Sequence, residues 1–244
     1  MPNFAFWLML PWVLPQAVWV RRHTPRFRAP ADELRGQFGE HPTRRIIGVG
    51  DSIIAGVGAH QAAETIISQL ALHWHETTGT AIEWMGYGKI GARSSRVKSL
   101  VESLERDDRV ALVLISAGVN DITGLTFTHQ WLADLDAVVV TLQQRFPNSR
   151  LALLGIPPLD VFPALPLPLR QVLGWRAAHF DRAARRYCDS TPAVCYVPIH
   201  SRPEPDEFSS DGFHPSAASY AALARDIVGI CRKCDLLETR VQEL

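Results

Sequence analysis

The sequence predicts an α/β protein in which helices cover both faces of a parallel sheet. Apolar runs of strand length alternate with segments whose apolar residues recur at helical spacing, a pattern typical of successive βαβ units. The chain of 244 residues contains neither an internal repeat nor a low-complexity linker, so one large domain is the economical interpretation. Hydrophobic residues make up 47% of the sequence, which is enough to build one covered sheet.

Five segments have the length and composition of strands. The clearest is 110–115, which is apolar without interruption, as expected for a strand covered on both faces. The segment 81–85 is a weaker candidate. In chain order, the predicted strands are 46–50, 81–85, 110–115, 151–154 and 194–197.

Segments with helical spacing of their apolar residues follow these strands. The first includes Ile66, Leu70 and Trp74, and a later helix is predicted near Gln171 to Tyr187. Pro215 is suited to the first position of the last helix, where a missing N–H costs nothing. The remaining apolar stripes span 97–104 and 132–146.

The N-terminal segment is apolar from Phe4 to Val20, with Gln16 as its one polar residue. A signal peptide is disfavoured because no basic residue precedes the apolar part and no small-residue cleavage site follows it. A membrane-spanning helix is disfavoured because the run is shorter than about 20 residues and contains Pro11 and Pro15. We therefore expect two regions, an apolar arm over residues 1–30 and the main domain over residues 40–235. The arm is expected either to pack on that domain or to lie on a membrane surface.

Charge is balanced over the whole chain but not along it. Lys plus Arg is 25 and Asp plus Glu is 25, which argues against non-specific nucleic-acid binding. Basic residues nevertheless follow the apolar segment directly, so residues 4–28 are expected to contact anionic lipid headgroups. A cytoplasmic, membrane-associated location is expected, with a periplasmic or membrane-anchored location as the alternative. The basic residues of this cluster are Arg21, Arg22, Arg26 and Arg28.

The stretch from 155 to 169 is rich in proline and cannot form an ordinary helix or a central strand. It follows the fourth predicted strand, so it should form a stiff loop at the carboxyl edge of the sheet. Two interpretations stay open, a rigid connector and a wall of a substrate cleft. The residues that would line such a wall are Leu159, Val161, Phe162, Leu165 and Leu167.

Polar and glycine residues follow several predicted strands at the point where each strand ends. In an open parallel sheet, ligands bind beyond these carboxyl ends, so the residues should face one common site. The segments are Gly50-Asp51-Ser52, the glycine-rich run from 86 to 91, Gly118-Val119-Asn120-Asp121, and Asp211-Gly212-Phe213-His214.

Known phosphate-binding and hydrolase motifs do not account for these segments. Ile53 stands where the dinucleotide fingerprint needs its third glycine. Glu83 and Ile90 replace the glycine and the Ser/Thr that a Walker loop requires. Gly50 stands two residues before Ser52, but Ile54 stands where the nucleophile elbow needs its second glycine, which argues against an ordinary α/β-hydrolase.

Taken together, the four segments resemble the sequence blocks of the SGNH hydrolases, also called GDSL-type lipases and esterases. Their order and spacing fit over about residues 45–230, with Ile53 in place of the usual leucine after the serine. The resemblance implies a flavodoxin-like three-layer α/β/α sandwich around a five-stranded parallel sheet. It also implies hydrolysis of a small-molecule ester or thioester through an acyl-serine intermediate, without a metal or a cofactor.

The residue chemistry agrees with this resemblance. A serine hydroxyl is a weak nucleophile until a base takes its proton, and imidazole titrates near neutral pH. Ser52 is therefore the candidate nucleophile, His214 the base, and Asp211 the acid that orients and stabilises the imidazole. By resemblance, the oxyanion hole consists of the backbone N–H groups of Ser52 and Gly91 and the side-chain amide of Asn120.

The acyl and alcohol groups of the substrate are not specified by these residues. The apolar arm and the proline-rich loop favour small acyl or lysophospholipid-like esters. Deacetylation of a carbohydrate and acyl transfer to an alcohol stay open as alternatives within the same chemistry. A catalytically silent, membrane-associated binding protein is the alternative from another class.

Other chemically active residues have ordinary structural interpretations. Cys231 and Cys234 continue the apolar face of the last helix and are expected to be buried thiols. Cys188 and Cys195 could form a disulfide or join the other pair around zinc, with cytosolic thiols as the default. His73 and His75 are expected to have surface or capping roles, because residues two apart do not share a helix face. A basic helix face is predicted to comprise Arg176, Arg182, Arg185 and Arg186, which are expected to be solvated, with contact to anionic lipid as the alternative.

Overall fold

The computed structural model describes residues 3–23, 28–199 and 203–233. Arg26 and Cys234 lie outside the described residues. The strands are β1 Arg35–Phe38, β2 Arg44–Gly50, β3 Ile82–Gly88, β4 Val110–Ser116, β5 Arg150–Leu154 and β6 Val194–Val197. The α-helices are α1 Asn3–His23, α2 Ile66–Thr78, α3 Ser94–Glu102, α4 Val119–Thr123, α5 Thr128–Arg145, α6 Leu169–Asp189 and α7 Ala217–Lys233.

The predicted parallel sheet is confirmed, with the strand order β1-β3-β2-β4-β5-β6. The chain runs from β2 outward to β3 and then crosses back to the other side of β2 to form β4. This reversal places a topological switch point between β2 and β4, where a crevice opens beyond their carboxyl ends. Ser52 follows β2 and Asn120 follows β4, so the sequence places candidate site residues on both sides of this crevice.

The predicted strand number was wrong by one, because the sheet has six strands. The additional strand, β1, pairs with β3 in the antiparallel direction at one edge. Its residues alternate between exposed and half-buried positions, so it lacks the apolar run that marks a buried strand.

Two apolar layers cover the sheet, as expected for a three-layer sandwich. Successive side chains of β2 point to opposite layers. Ile46 packs with α2 and α7, while Ile47 faces the layer of α3, α5 and α6. Both side chains are fully buried. The predicted helices 97–104, 132–146 and 171–187 correspond to α3, α5 and α6, and the last helix begins at Ala217 rather than at Pro215.

The apolar N-terminal segment forms α1, which packs on α6. Phe6 and Val13 are buried in the same core as the helices of that layer. The helix continues through Pro11 and Pro15, which both lie on its exposed side. Packing of the opposite side holds the helix together where the two prolines remove backbone hydrogen bonds. Within the described residues, no helix has both the length and the hydropathy needed to cross a bilayer.

The predicted exposed basic face of α6 was wrong for Arg176, which is only 1% exposed. Its guanidinium lies over the rings of Phe6, Trp7 and Phe180, at 4.3, 4.9 and 5.1 Å from their centres. It also donates a hydrogen bond to the carbonyl of Thr126. Burial lowers the pKa of Arg176 to about 10, since the charged form loses its hydration.

The other arginines of this face are exposed, as predicted: Arg182, Arg185 and Arg186. Arg185 pairs with Asp181 at 3.1 Å and lies over the ring of Tyr196. Aromatic rings supplied by α1 and α6 therefore distinguish Arg176 from the rest of the basic face.

The contact between β3 and the turn after β2 requires a glycine at position 88. A Cβ atom there would lie 2.0 Å from the backbone nitrogen of Ala55. We expect Gly88→Ala to lower the free energy of unfolding by about 3 kcal/mol, because backbone must move to relieve this overlap. Urea denaturation of purified protein measures the effect.

Gly229→Ala is the matched control, since a Cβ at this exposed position of α7 meets no atom within 4 Å. It should raise the free energy of unfolding by about 0.5–1 kcal/mol through helix propensity. Equal effects of the two substitutions would contradict the close contact at Gly88.

Candidate active site

Ser52 lies in the turn that follows β2, at the switch point of the sheet. The N–H of Asp51 donates to the carbonyl of Ser116 at the end of β4, over 3.2 Å. A Cβ atom on Gly50 would lie 2.3 Å from that same carbonyl oxygen. Glycine therefore allows the ends of β2 and β4 to approach closely, and the turn places Ser52 above both strands.

His214 reaches Ser52 from the loop between β6 and α7. The Nε2 atom of His214 lies 2.9 Å from the Oγ atom of Ser52, and its Nδ1 atom lies 2.6 Å from an oxygen of Asp211. An ionised carboxylate can only accept, so Nδ1 carries the proton in the neutral ring. Nε2 is then left to accept the hydrogen bond from the Ser52 hydroxyl.

Asp211 is held in its charged form by a set of donors. Its second oxygen accepts hydrogen bonds from the Ser209 hydroxyl and from the backbone N–H groups of Phe213 and His214, at 2.8–2.9 Å. Burial by itself would raise the pKa of Asp211, but the bonds from the His214 ring and from these N–H groups lower it to about 2. The carboxylate is therefore fixed in position and ionised over the whole neutral range.

The structure also brings Gly91 and Asn120 to the cleft beside Ser52. Gly91 adopts a φ of +74°, a conformation that favours glycine. The loop of Gly91 is tied to the segment of Asn120, because Asp121 accepts hydrogen bonds from the backbone N–H and the hydroxyl of Ser94, both at 2.9 Å. Two loops from different strands are thus held in register at the cleft.

Asp51 is buried directly beneath this arrangement and does not bond to His214. It accepts hydrogen bonds from the Ile53 N–H at 3.1 Å and the Ser116 hydroxyl at 3.0 Å, and a longer one of 3.4 Å from the Asn120 amide. Burial raises the pKa of Asp51 to about 6, although the first two bonds favour its charged form. Since an amide nitrogen carries two hydrogens, Asn120 keeps one donor for a ligand.

The cleft above Ser52 has a volume of about 280 Å³ and is lined mainly by apolar residues. Phe162 is the one member of the predicted wall that lines it. Leu159 and Leu165 are buried in the core, while Leu167 is exposed on the outer side of the loop. The apolar residues around the cleft include Ile53, Ile90, Val119, Leu154, Ile156, Phe208, Phe213 and Leu223.

The stretch from 155 to 169 therefore does form part of the cleft wall, through Gly155, Ile156, Pro157 and Phe162. Four of the five residues named for the wall were wrong, because Leu159, Val161, Leu165 and Leu167 do not line the cleft. Sequence reasoning also missed Ser94, Ser116 and Ser209, which hold Asp121, Asp51 and Asp211 in place. Ser209 stands two residues before Asp211, and this short spacing is the one available sequence signal.

The remaining candidates take the structural roles expected for them. Cys231 is buried on α7, and Cys188 is a buried free thiol whose pKa burial raises to about 12. His73 is half-buried and pairs with the exposed Glu76, and His75 binds the carbonyl of Thr80 after the end of α2. No cluster of three or more potential metal ligands is found among the residues that the structure describes.

Comparison with known proteins points to one family. The model of the GDSL-like lipase/acylhydrolase family matches residues 49–222, a range that includes every candidate site residue. A GDSL-like esterase of Mycobacterium tuberculosis is 30% identical over 202 residues, which cover 78% of this chain and 62% of that relative. The chain thus spans less than two thirds of the length of this curated relative.

Solved structures share the fold at low sequence identity. The lipase Lip_vut3 from a goat rumen metagenome has a TM-score of 0.60 at 14% identity, covering 77% of this chain and 97% of its own. The psychrotrophic esterase EstA from Pseudoalteromonas sp. has a TM-score of 0.59 at 19% identity, covering 78% of this chain and 97% of its own.

Asp51 should give the protein a characteristic dependence of stability on pH. Its folded pKa is raised from 3.8 to about 6, so the folded protein binds this proton more tightly than the unfolded chain. The stabilising contribution of the proton is complete below the unfolded pKa and is lost as the pH rises through about 6. Relative to wild type, Asp51→Asn should therefore gain about 2 kcal/mol in free energy of unfolding between pH 4 and pH 7.

Chemical denaturation of both proteins across this pH range measures the difference. Asp206→Asn serves as the control, because Asp206 is an exposed carboxylate outside the cleft. A constant difference between wild type and Asp51→Asn at all pH values would show that Asp51 does not bind a proton in this range.

Proposed function

This chain belongs to the GDSL-like lipase/acylhydrolase family, and we propose that it is a serine esterase that cleaves carboxylic esters or thioesters through an acyl-serine intermediate. The observation that carries the proposal is the continuous hydrogen-bonded line from Ser52 through His214 to Asp211 at the floor of the cleft. In this line, Ser52 supplies the nucleophilic hydroxyl, His214 supplies the base and Asp211 supplies the carboxylate that orients the base.

In the first half-reaction, the Ser52 oxygen attacks the carbonyl carbon of the ester while its proton moves to Nε2 of His214. The carbonyl π electrons move to oxygen and give a tetrahedral oxyanion. When this intermediate collapses, the bond to the alcohol breaks and the alcohol leaves with the proton from His214. Asp211 stabilises the transient imidazolium, because its carboxylate is charged and hydrogen-bonded to Nδ1 of His214.

In the second half-reaction, water replaces the alcohol. His214 takes a proton from water, the resulting hydroxide attacks the acyl-serine carbonyl, and a second oxyanion forms. Its collapse breaks the bond to Ser52, which recovers its proton from His214 while the carboxylic acid leaves. Both halves use the same three side chains.

The oxyanion of each intermediate needs donors that are already in place. We assign this role to the backbone N–H groups of Ser52 and Gly91 and to the Asn120 amide. The support is positional: Gly91 and Asn120 line the cleft with Ser52, and Asp51 orients the Asn120 amide from below.

The apolar lining of the cleft supports a hydrophobic acyl or alcohol group in the substrate. Small acyl esters and lysophospholipid-like esters fit this chemistry better than a carbohydrate, which would need many polar partners. Carbohydrate deacetylation and acyl transfer to an alcohol stay alternatives within the same chemistry, and the labelling test below addresses the silent binding protein. The cytoplasmic location and the contact of residues 4–28 with a membrane surface stay predictions.

Ser52→Ala should reduce kcat for p-nitrophenyl butyrate by roughly 10⁵-fold or more, because Ser52 is the cleft hydroxyl that hydrogen-bonds to the base His214. Labelling of the protein by a fluorophosphonate probe, read by mass spectrometry, should disappear with it. Ser95→Ala is the control, since Ser95 is an exposed serine of α3. Full activity of Ser52→Ala would identify another nucleophile, and absence of labelling in the folded wild type would favour the binding protein.

Asn120→Ala should lower kcat by about 10²–10³-fold while KM changes little, because the lost donor acts mainly on the oxyanion of the transition state. Steady-state kinetics with the same ester separate the two parameters. Asn148→Ala changes an exposed asparagine of the loop before β5 and should leave both parameters unchanged. A rise in KM alone would instead place Asn120 in ground-state substrate binding.

A further inference from the structure

One side of α1 presents large apolar residues to solvent. Leu8, Trp12 and Trp19 are 62, 78 and 57% exposed, and they recur at the spacing of one helix face. Two exposed prolines and Val18 lie between them. A continuous exposed apolar face of this kind usually marks an interaction surface.

The opposite side of α1 is fixed to the domain, so this exposed face has a defined orientation. Phe6 and Val13 are buried, and Arg176 lies against the rings of Phe6 and Trp7. Gln16 donates to the carbonyl of Leu167 at 2.9 Å and accepts from the N–H of Leu169 at 3.1 Å. These contacts hold α1 as a rigid part of the surface.

The apolar surface continues from α1 towards the cleft. The ring of Trp7 lies 5.3 Å from that of Phe127, which is 53% exposed, and Leu167 beside Gln16 is 54% exposed. Gly124, three residues before Phe127, contacts the side chain of Arg93 on the loop of Gly91. Ile90 of that loop is 51% exposed and lines the cleft itself.

Basic side chains surround these apolar residues. The sequence of α1 contains no acidic residue and ends with Arg21, Arg22 and His23. At the cleft side, Lys89 and Arg93 flank Ile90 and are exposed. The combination of exposed tryptophan with a basic border matches a membrane surface, where tryptophan occupies the headgroup level and arginine meets anionic lipid.

We propose that this surface docks the protein on anionic phospholipid membranes and places the mouth of the cleft at the bilayer. We define the lipid-docking surface as Leu8, Trp12, Trp19, Phe127, Leu167 and Ile90, with the basic border of Arg21, Arg22, Lys89 and Arg93. Docking itself is independent of catalysis, and the supply of lipid esters to the cleft rests on the proposed esterase function.

A lipid occupant accounts for the surface better than a protein partner does. The basic border would repel the same border of a second copy of this chain across a two-fold axis. In an anionic bilayer, by contrast, the apolar face contacts the hydrocarbon boundary and the basic border contacts the anionic headgroups.

Co-sedimentation of the full chain with vesicles tests the docking. We expect binding to vesicles that contain phosphatidylglycerol and much weaker binding to phosphatidylcholine alone. The double variant Trp12→Ser/Trp19→Ser should bind the anionic vesicles roughly tenfold more weakly or worse. The variant Arg21→Glu/Arg22→Glu should lose the preference for anionic lipid.

Val140→Ser is the matched control, since Val140 is 44% exposed on α5, which the proposal does not include in the docking surface. All variants should hydrolyse a soluble p-nitrophenyl ester at the wild-type rate, because Trp12 and Trp19 do not line the cleft. Hydrolysis of a long-chain ester embedded in anionic vesicles should fall only in the variants that lose docking.

The outcomes separate the two proposals. Absence of wild-type binding to anionic vesicles, or equal binding by Trp12→Ser/Trp19→Ser, would overturn the docking surface even if the soluble ester is cleaved. Sedimentation velocity that shows a dimer abolished by the tryptophan substitutions would assign the surface to a second copy instead. Docking without cleavage of any ester would retain this surface and reject the esterase.

Discussion

The geometry of the site depends on how closely the carboxyl ends of β2 and β4 approach each other. Gly50 leaves no side chain between the two strand ends, and the Asp51 N–H donates a hydrogen bond to the Ser116 carbonyl across them. The buried Asp51 carboxylate then joins the same two strands through its bond to the Ser116 hydroxyl. Any displacement here would move Ser52 and Asn120 relative to each other, since one follows each strand.

Two carboxylates lie near His214, and their surroundings give them opposite properties. Asp211 accepts several short hydrogen bonds that keep its pKa near 2, so it carries a permanent charge against the imidazole. Asp51 has fewer strong donors and full burial, which raise its pKa to about 6. Donors and burial therefore set the charge of each carboxylate, while the 2.6 Å contact with Nδ1 of His214 identifies Asp211 as the acid that faces the histidine. Asp51 is left to orient the Asn120 amide, a task that a hydrogen-bonding group can perform in either protonation state.

The sequence was sufficient for the parallel sheet and for the residues that meet at its edge, because buried strands and strand-end motifs are local patterns. Strand β1 was missed because its half-exposed, polar residues carry no apolar run. The residues of the proline-rich stretch that line the cleft were mispredicted for a different reason: Leu159 and Leu165 turn inward while Leu167 turns outward, and the direction of loop side chains depends on tertiary packing. Arg176 was assigned to the surface because its burial requires aromatic rings from α1, far away in sequence.

Arg176 also explains how an apolar helix with an exposed face can stay attached to the domain. The rings of Phe6 and Trp7 cover a guanidinium that has one hydrogen bond, to Thr126, while two of its nitrogens lack partners within the described residues. Lifting α1 would remove the two rings that α1 contributes to this contact, in addition to exposing Phe6 and Val13. The ring contacts with Arg176 and the burial of Phe6 and Val13 both involve the inner side of the helix. The outer side can therefore be apolar without weakening the attachment of α1 to the domain. The same arrangement fixes the direction in which Trp12 and Trp19 point, which a flexible arm could not do.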